Sequence, residues 1–174
     1  MTIIRYVNEE IPIDILNNFC LQDGVVKWID TPKRKKAPWG SEAGGRTVFG
    51  RGKLVMSSRV AMLTTDIKYA IEHGGDWPWQ TADGPQHDGN SHDIAIWRAL
   101  IHNRFRLDDE DNIRWKVNRG YTATGEAQYK EGDLVTGYQL SGFRGRMVTT
   151  GGMGFLACDV LNVLKNNVFP FEWD

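Results

Sequence analysis

The chain carries one pattern twice. A shift of 93 positions, from 51 to 144, lays Arg51-Gly52-Lys53-Leu54-Val55-Met56-Ser57-Ser58 over Arg144-Gly145-Arg146-Met147-Val148-Thr149-Thr150-Gly151. With no gap, Leu63-Thr64-Thr65-Asp66-Ile67 then lies over Leu156-Ala157-Cys158-Asp159-Val160. Most exchanges keep charge, shape or β-branching: Lys for Arg, Leu for Met, Ser for Thr, Ile for Val. A repeat constrains the fold more than any single motif, because one supersecondary unit has to serve in both places. A unit of roughly 60–70 residues buries little core by itself, so the two copies are expected to pack together.

The copies share a grammar. Gln22-Asp23-Gly24 is a turn before Val25-Val26-Lys27-Trp28-Ile29, which reads as a strand. Its counterpart is Asp109-Glu110-Asp111 followed by Asn112-Ile113-Arg114-Trp115-Lys116-Val117. Trp28 and Trp115 are 87 positions apart, so the second copy gains about six residues, placed around Tyr121 to Tyr129. A polar loop ends in Gly40-Ser41-Glu42-Ala43-Gly44 and again in Gly132-Asp133-Leu134-Val135-Thr136-Gly137. Hairpins follow, 46–49 with 54–57 and 138–141 with 147–150, each around a glycine turn. Helices are expected over 65–73 and 157–166, with Asp66 and Asp159 in their first turns, where a carboxylate suits the helix dipole. Both run into an aromatic-Pro exit, Trp77-Pro78 and Phe169-Pro170. Upstream, residues 3–20 read as an extended segment and a short helix.

Trp28, Trp115, Trp77, Phe169 and Trp173 are the expected aromatic core. Net charge is −1, so no global field draws the chain to nucleic acid or membrane, and any such binding has to be local. Cys20 and Cys158 are far apart and without metal-ligand spacing, which fits reduced thiols in a cytoplasmic protein. With no leader-like N-terminus and no apolar run near 18 residues, neither secretion nor a membrane span is expected.

The unit resembles the phage and homing HNH endonucleases of the His-Me finger group. Val26-Lys27-Trp28, Gly40-Ser41-Glu42-Ala43-Gly44 and Gly75-Asp76-Trp77-Pro78 follow the order of that family's leading part. The resemblance covers about residues 16–100, and the second copy repeats the leading part only. It implies metal-assisted phosphodiester hydrolysis, with a His as general base and an Asp and an Asn holding one divalent ion. Carried forward from Trp77-Pro78 without a gap, the metal-binding Asp falls on Asp83 and the catalytic His on Gly84. The central Asn falls on His92, the metal-binding Asn on Ile96, and Leu-Arg on Trp97-Arg98. Glycine takes no proton and isoleucine holds no cation. A register shifted by three makes His87 the base but puts Gln86 in place of the metal Asp, and Arg98 or Ala99 at the Asn position. Both registers leave the site incomplete.

The resemblance and the repeat together imply an α+β protein. Two copies of a strand-hairpin-helix unit are related by a pseudo-twofold axis and joined by a degenerate HNH-like segment and a helix. Residues 1–79 form an N-terminal segment and the first repeat, 80–103 the connecting segment with its helix (94–103), and 104–174 the second repeat. The favoured function is that of a phage-type, catalytically inactive derivative that binds duplex DNA or a host nucleic-acid or defence protein, in the host cytoplasm and without a cofactor. An active nicking endonuclease would use His87, Asp83 and His92, with Mg²⁺ or Mn²⁺ at Asp83. A third reading is a small-ligand pocket between the repeats.

His87-Asp88 and His92-Asp93 are either a general-base or metal cluster with Asp83, or a solvated loop leading into the helix; the loop is the simpler reading. His73 is expected to meet free carbonyls at a helix end. Lys33-Arg34-Lys35-Lys36 with Trp39 is the one dense basic run, a candidate for phosphate contact as much as a solvated loop. Arg51 and Lys53, with Arg144 and Arg146, flank equivalent turns and would extend a basic stripe. Asp108-Asp109-Glu110-Asp111 would repel phosphate, so a nucleic-acid face has to lie away from it.

Overall fold

The computed structural model describes residues 11, 14–29, 40–57, 60–81, 86–88, 93–121, 123–140 and 145–173. The first half starts with a 3-10 turn, Ile15–Asn18, leading into β1 (Phe19–Gln22) and β2 (Val25–Trp28). Asp23 and Gly24 both have positive φ, the conformation a two-residue hairpin loop needs for its twist to match the strands. Phe19 faces Trp28 across this hairpin, and alternation buries Val26 and Trp28. Then come β3 (Thr47–Val48), β4 (Gly52–Ser57), β5 (Val60–Leu63) and α1 (Thr64–Glu72), and a 3-10 turn over Pro78–Gln80.

The second half opens on α2 (Ile94–Arg104), followed by β6 (Phe105–Leu107), β7 (Ile113–Trp115), β8 (Arg119–Tyr121) and β9 (Ala127–Tyr129). It continues with β10 (Tyr138–Gln139), β11 (Arg146–Thr150), β12 (Met153–Leu156) and α3 (Ala157–Asn166), ending in a 3-10 turn over Pro170–Trp173. The architecture is mixed α+β.

The central sheet runs β10-β11-β12-β3-β4-β5. Its neighbours are antiparallel except at the seam, where β12 meets β3 in parallel at Gly154 and Val48. Phe49 N–H donates to Gly154 C=O at 2.7 Å there. A Cβ on Gly154 would lie 2.9 Å from Met147 Sδ and 3.2 Å from Thr47 O, so the strands close only because that side chain is missing.

Backbone hydrogen bonds pair the two halves group by group. Gly40 N–H donates to Trp28 C=O at 2.7 Å, and Gly132 N–H to Trp115 C=O at 2.7 Å. Trp28 N–H reaches Ser41 C=O at 2.9 Å, and Trp115 N–H reaches Asp133 C=O at 2.9 Å. Ala43 N–H with Val26 C=O matches Val135 N–H with Ile113 C=O, both 2.9 Å. The correspondence reaches upstream of the sequence register: Ile29 N–H to Asn18 C=O matches Lys116 N–H to Arg104 C=O, both 2.8 Å. Phe19 and Trp28 have ring centroids 4.7 Å apart, Phe105 and Trp115 4.8 Å. The added residues of the second half form the β8–β9 hairpin.

Two differences from expectation are informative. Each half has a third sheet strand, β5 or β12, between the expected hairpin and its helix. In β5 all four residues are buried, so the period-2 alternation that marks a strand is absent. The helix α2 is also more than a connector. It packs on α3 and puts Ile101 into the second half's core.

Three apolar clusters hold the fold. One is centred on Val26, Trp28, Ile67 and Trp77 in the first half. A second surrounds Trp115, Phe155, Val160 and Phe169. A third at the seam takes Leu63 and Leu156 together with Val48 and Met147. Phe49 comes from the first half but belongs to the second cluster, 5.1 Å from Phe169 and 5.8 Å from Phe155. Of the expected aromatic core, Trp28, Trp77, Trp115 and Phe169 are buried; the side chain of Trp173 lies outside the described residues. Cys20 and Cys158 are reduced thiols, both half-buried.

Candidate functional site

Four of the expected site residues can be placed: His87, Arg51, Lys53 and Arg146. Asp83, His92, the basic run Lys33, Arg34, Lys35 and Lys36, Trp39 and Arg144 lie outside the described residues.

Arg51 does not belong to a phosphate-binding stripe. It is 3% exposed and points inward. Its Nε donates to Asp159 Oδ2 at 2.9 Å and its Nη2 to Asp159 Oδ1 at 2.8 Å, a bidentate fork on the first turn of α3. Burial works to lower the Arg51 pKa, but the bond to Asp159 and the carboxylate charges around it outweigh that and raise it. The turn-to-helix pair crosses from the first half to the second, as Phe49 does. Thr65 Oγ1 donates to Arg51 C=O at 2.9 Å, fixing the turn from the α1 side. The sequence reading took a glycine-flanked arginine for a surface cation, and the repeated helix-start aspartates were the missed signal for its partner.

The other two cations stay near the surface. Lys53 Nζ lies 3.4 Å from Glu42 Oε1 in an exposed pair. Arg146 Nη1 donates to Thr136 C=O at 2.8 Å. The exposed Lys53–Glu42 pair contributes little to stability.

The connecting segment passes over the Arg51 turn. Arg51 Nη1 donates to Gln86 C=O at 3.3 Å, and Asp88 N–H to Gly50 C=O at 3.0 Å. His87 is exposed, and its ring lies 6.2 Å from Phe171. Ile96, at the position of the family's metal-binding Asn, is on α2 and 65% exposed. Among the described residues no three His, Cys, Asp or Glu side chains converge as metal ligands. Asp83 and His92, the expected metal ligand and its neighbouring imidazole, lie outside the described residues.

His73 Nδ1 meets Tyr69 C=O at 2.8 Å at the end of α1, the capping contact expected of it. His102 Nε2 meets Asn167 Oδ1 at 2.7 Å, tying α2 to the end of α3. No protein-family model, curated protein or solved structure matches this chain.

The acidic run closes the β6–β7 turn. Asp108 accepts from Arg114 Nε at 2.8 Å and from the N–H groups of Asn112 and Glu110, both at 2.9 Å. The Arg114 bond, followed by the Asn112 N–H, holds the Asp108 carboxyl well below the usual carboxylate range. Asp111 pairs with Lys165 at 2.7 Å. Two of the four acids are thus engaged in structure.

A groove of about 410 Å³ lies where the halves meet. Arg46 and Leu54 reach it from the first half, and Trp115, Tyr129, Tyr138 and Thr136 are among those that line it from the second. Tyr129 stacks on Trp115 with centroids 5.1 Å apart and planes 20° apart, yet stays 40% exposed. In the sequence Tyr129 stands only at the edge of an insertion, where the repeat has nothing to lay over it, and Arg46 and Tyr138 stand only at the ends of shared hairpin strands.

No helix of the described residues is long and apolar enough to cross a membrane.

Proposed function

We propose that this protein is a non-cleaving derivative of the HNH endonuclease module that acts by binding nucleic acid. The observation that carries the first part is Ile96. The helix position where the resembling family places a metal-holding amide presents an alkyl chain to solvent. The binding part is supported by the basic run Lys33–Lys36, by Lys53 and Arg146 in exposed or half-exposed contacts, and by the neutralisation of half the acidic run. Local cations of this kind give salt-dependent affinity without a globally basic chain.

The paired hydrogen bonds of the two halves support an ancestral duplication. The strands of the second half and then those of the first follow one another across the sheet in the same order and direction, so the halves sit head to tail and not about the expected pseudo-twofold axis. The first-half turn that inserts Phe49 and Arg51 into the second half makes the two copies one folding unit. Loss of cutting then left a double scaffold whose surfaces were free to specialise.

The test has two arms. Supercoiled plasmid incubated with Mg²⁺ or Mn²⁺ stays uncut, while DNA binding by fluorescence anisotropy weakens as salt rises. Replacing Lys33, Arg34, Lys35 and Lys36 by Ala lowers the salt slope by about three to four units on duplex DNA. Nicking abolished by His87→Ala would overturn the non-cleaving part. Absence of any nucleic-acid binding would overturn the rest and leave a host protein as the partner to seek.

A further inference from the structure

We infer that the groove between the halves takes an unpaired nucleotide of single-stranded nucleic acid, its base on Tyr129 and its phosphate on Arg46 and Arg146. The inference deepens the nucleic-acid reading above and rests on it.

Three observations converge. Tyr129 is a supported platform: one face is backed by the buried Trp115 ring, and two-fifths of the residue is still open to solvent. Five large apolar side chains are exposed among the described residues. Tyr129 and Tyr138 both line this groove, and a third, Met56, accepts the Tyr138 hydroxyl at 3.1 Å. Apolar surface gathered at a concave site marks a binding face more often than the same residues scattered singly. The charge is one-sided. Arg46 lines the groove, and Arg146 donates to the Thr136 carbonyl on its wall. Among the described residues the lining contains no carboxylate. Among the described residues Arg46 Nη1 reaches Gly152 C=O at a long 3.5 Å, a contact a phosphate oxygen displaces easily.

An aromatic face beside cations matches a base and its phosphate. Stacking accepts every base, because each has a π-face. A volume near 410 Å³ suits one nucleotide and not a duplex, whose bases are already stacked on each other. The β8–β9 hairpin that supplies Tyr129 contains the residues the second half gains over the first, so the platform is an addition to the repeated scaffold.

The experiment uses the full chain, a labelled short oligothymidylate and a blunt duplex of equal length, with binding read by anisotropy at low and raised salt. Tyr129→Ala is expected to weaken oligothymidylate binding about tenfold or more, and Tyr129→Phe to preserve it. Arg46→Gln lowers the single-strand salt slope by about 0.7. Tyr138→Ser, at the other exposed tyrosine of the lining, provides a second test should Tyr129→Ala fail to fold. Duplex binding that persists, with single-strand binding unchanged in Tyr129→Ala or Tyr138→Ser, overturns the groove and leaves the broader reading standing. Failure to bind either form overturns both.

Discussion

Before β1 the chain makes a four-residue 3-10 turn; in the matching place before β6 it makes an eleven-residue α-helix. The strands after them are tied down by the same backbone bonds. Trp28 and Trp115 each hold the returning loop through their own N–H and C=O. Ile15 and Ile101, at matching places, are both buried. The skeleton tolerates the exchange of a turn for a helix because what it requires is one apolar side chain and one carbonyl there, not a particular element. The divergent parts collect on the second half: α2, the β8–β9 hairpin, and the Arg98–Glu172 pair at 2.6 Å. The backbone bonds common to both halves are kept, and the elements that differ lie on one of them.

The exchange across the seam is the part most sensitive to change. Asp159 is 1% exposed and is the direct counter-charge of Arg51. Asp159→Asn keeps the shape and strands a buried guanidinium, so it is expected to destabilise the fold by about 3–5 kcal/mol. Urea unfolding followed by far-UV circular dichroism measures this. The repeat register lays Asp66 over Asp159, and Asp66 is also buried in the first turn of its helix. A loss at Asp66→Asn within about 1 kcal/mol of the Asp159→Asn loss sharpens the comparison of the halves. A far smaller loss at Asp66 breaks it, making the buried pair a property of one half alone.

The aromatic-Pro exits offer a gentler contrast. In the first half Gln80 Oε1 accepts from Trp77 N–H at 2.8 Å. In the second, Glu172 does the same for Phe169 N–H with one oxygen and accepts from Arg98 with the other. Glu172→Ala therefore removes two bonds to a carboxylate, one of them an ion pair with Arg98, and is expected to cost about 1.5–3 kcal/mol. Gln80→Ala removes one neutral bond and costs about 0.5–1.5 kcal/mol. Thermal melts of both variants under one condition give the ordering; equal shifts would show that the Arg98 arm contributes nothing.

How much of this was legible follows from which signals repeat. The β1–β2 turn was readable because Asp23-Gly24 sits between apolar strands, and α3 because Ala157–Asn166 has an apolar stripe and an acidic first turn. β5 and β12 were not readable as strands, since apolar clusters cover both of their faces and erase alternation. Arg51 misled for a related reason. A residue's environment is set by a partner 108 positions away, and a local reading of Gly50-Arg51-Gly52 sees only a turn. The groove was invisible to the repeat, because Tyr129 belongs to residues the first copy lacks. Ile96 draws notice in the sequence only through the family resemblance, which lays a metal-binding Asn over it.

The smallest expected effect lies at the helix ends. α1 is followed by Gly74 at φ 66° and α3 by Asn167 at φ 61°, both left-handed. A Cβ on Gly74 would meet nothing within 4 Å, so Gly74→Ala pays only the backbone strain, about 1 kcal/mol. Asn tolerates that conformation better than Ala, and Gly74→Asn should lose about half as much. Asn167 also gives its Oδ1 to His102 on α2, a tie for which Gly74 has no side chain. Asn167→Gly relaxes the backbone while losing an exposed hydrogen bond, and the two terms nearly cancel, leaving a change within about 0.5 kcal/mol. For a chain of this length that difference spans only about 2–4 °C per kcal/mol in Tm, so the three variants have to be melted side by side. If Asn167→Gly instead costs more than Gly74→Ala, the His102 tie is what fixes α2 on α3, and the second half holds its added helix by its cap as well as by Ile101.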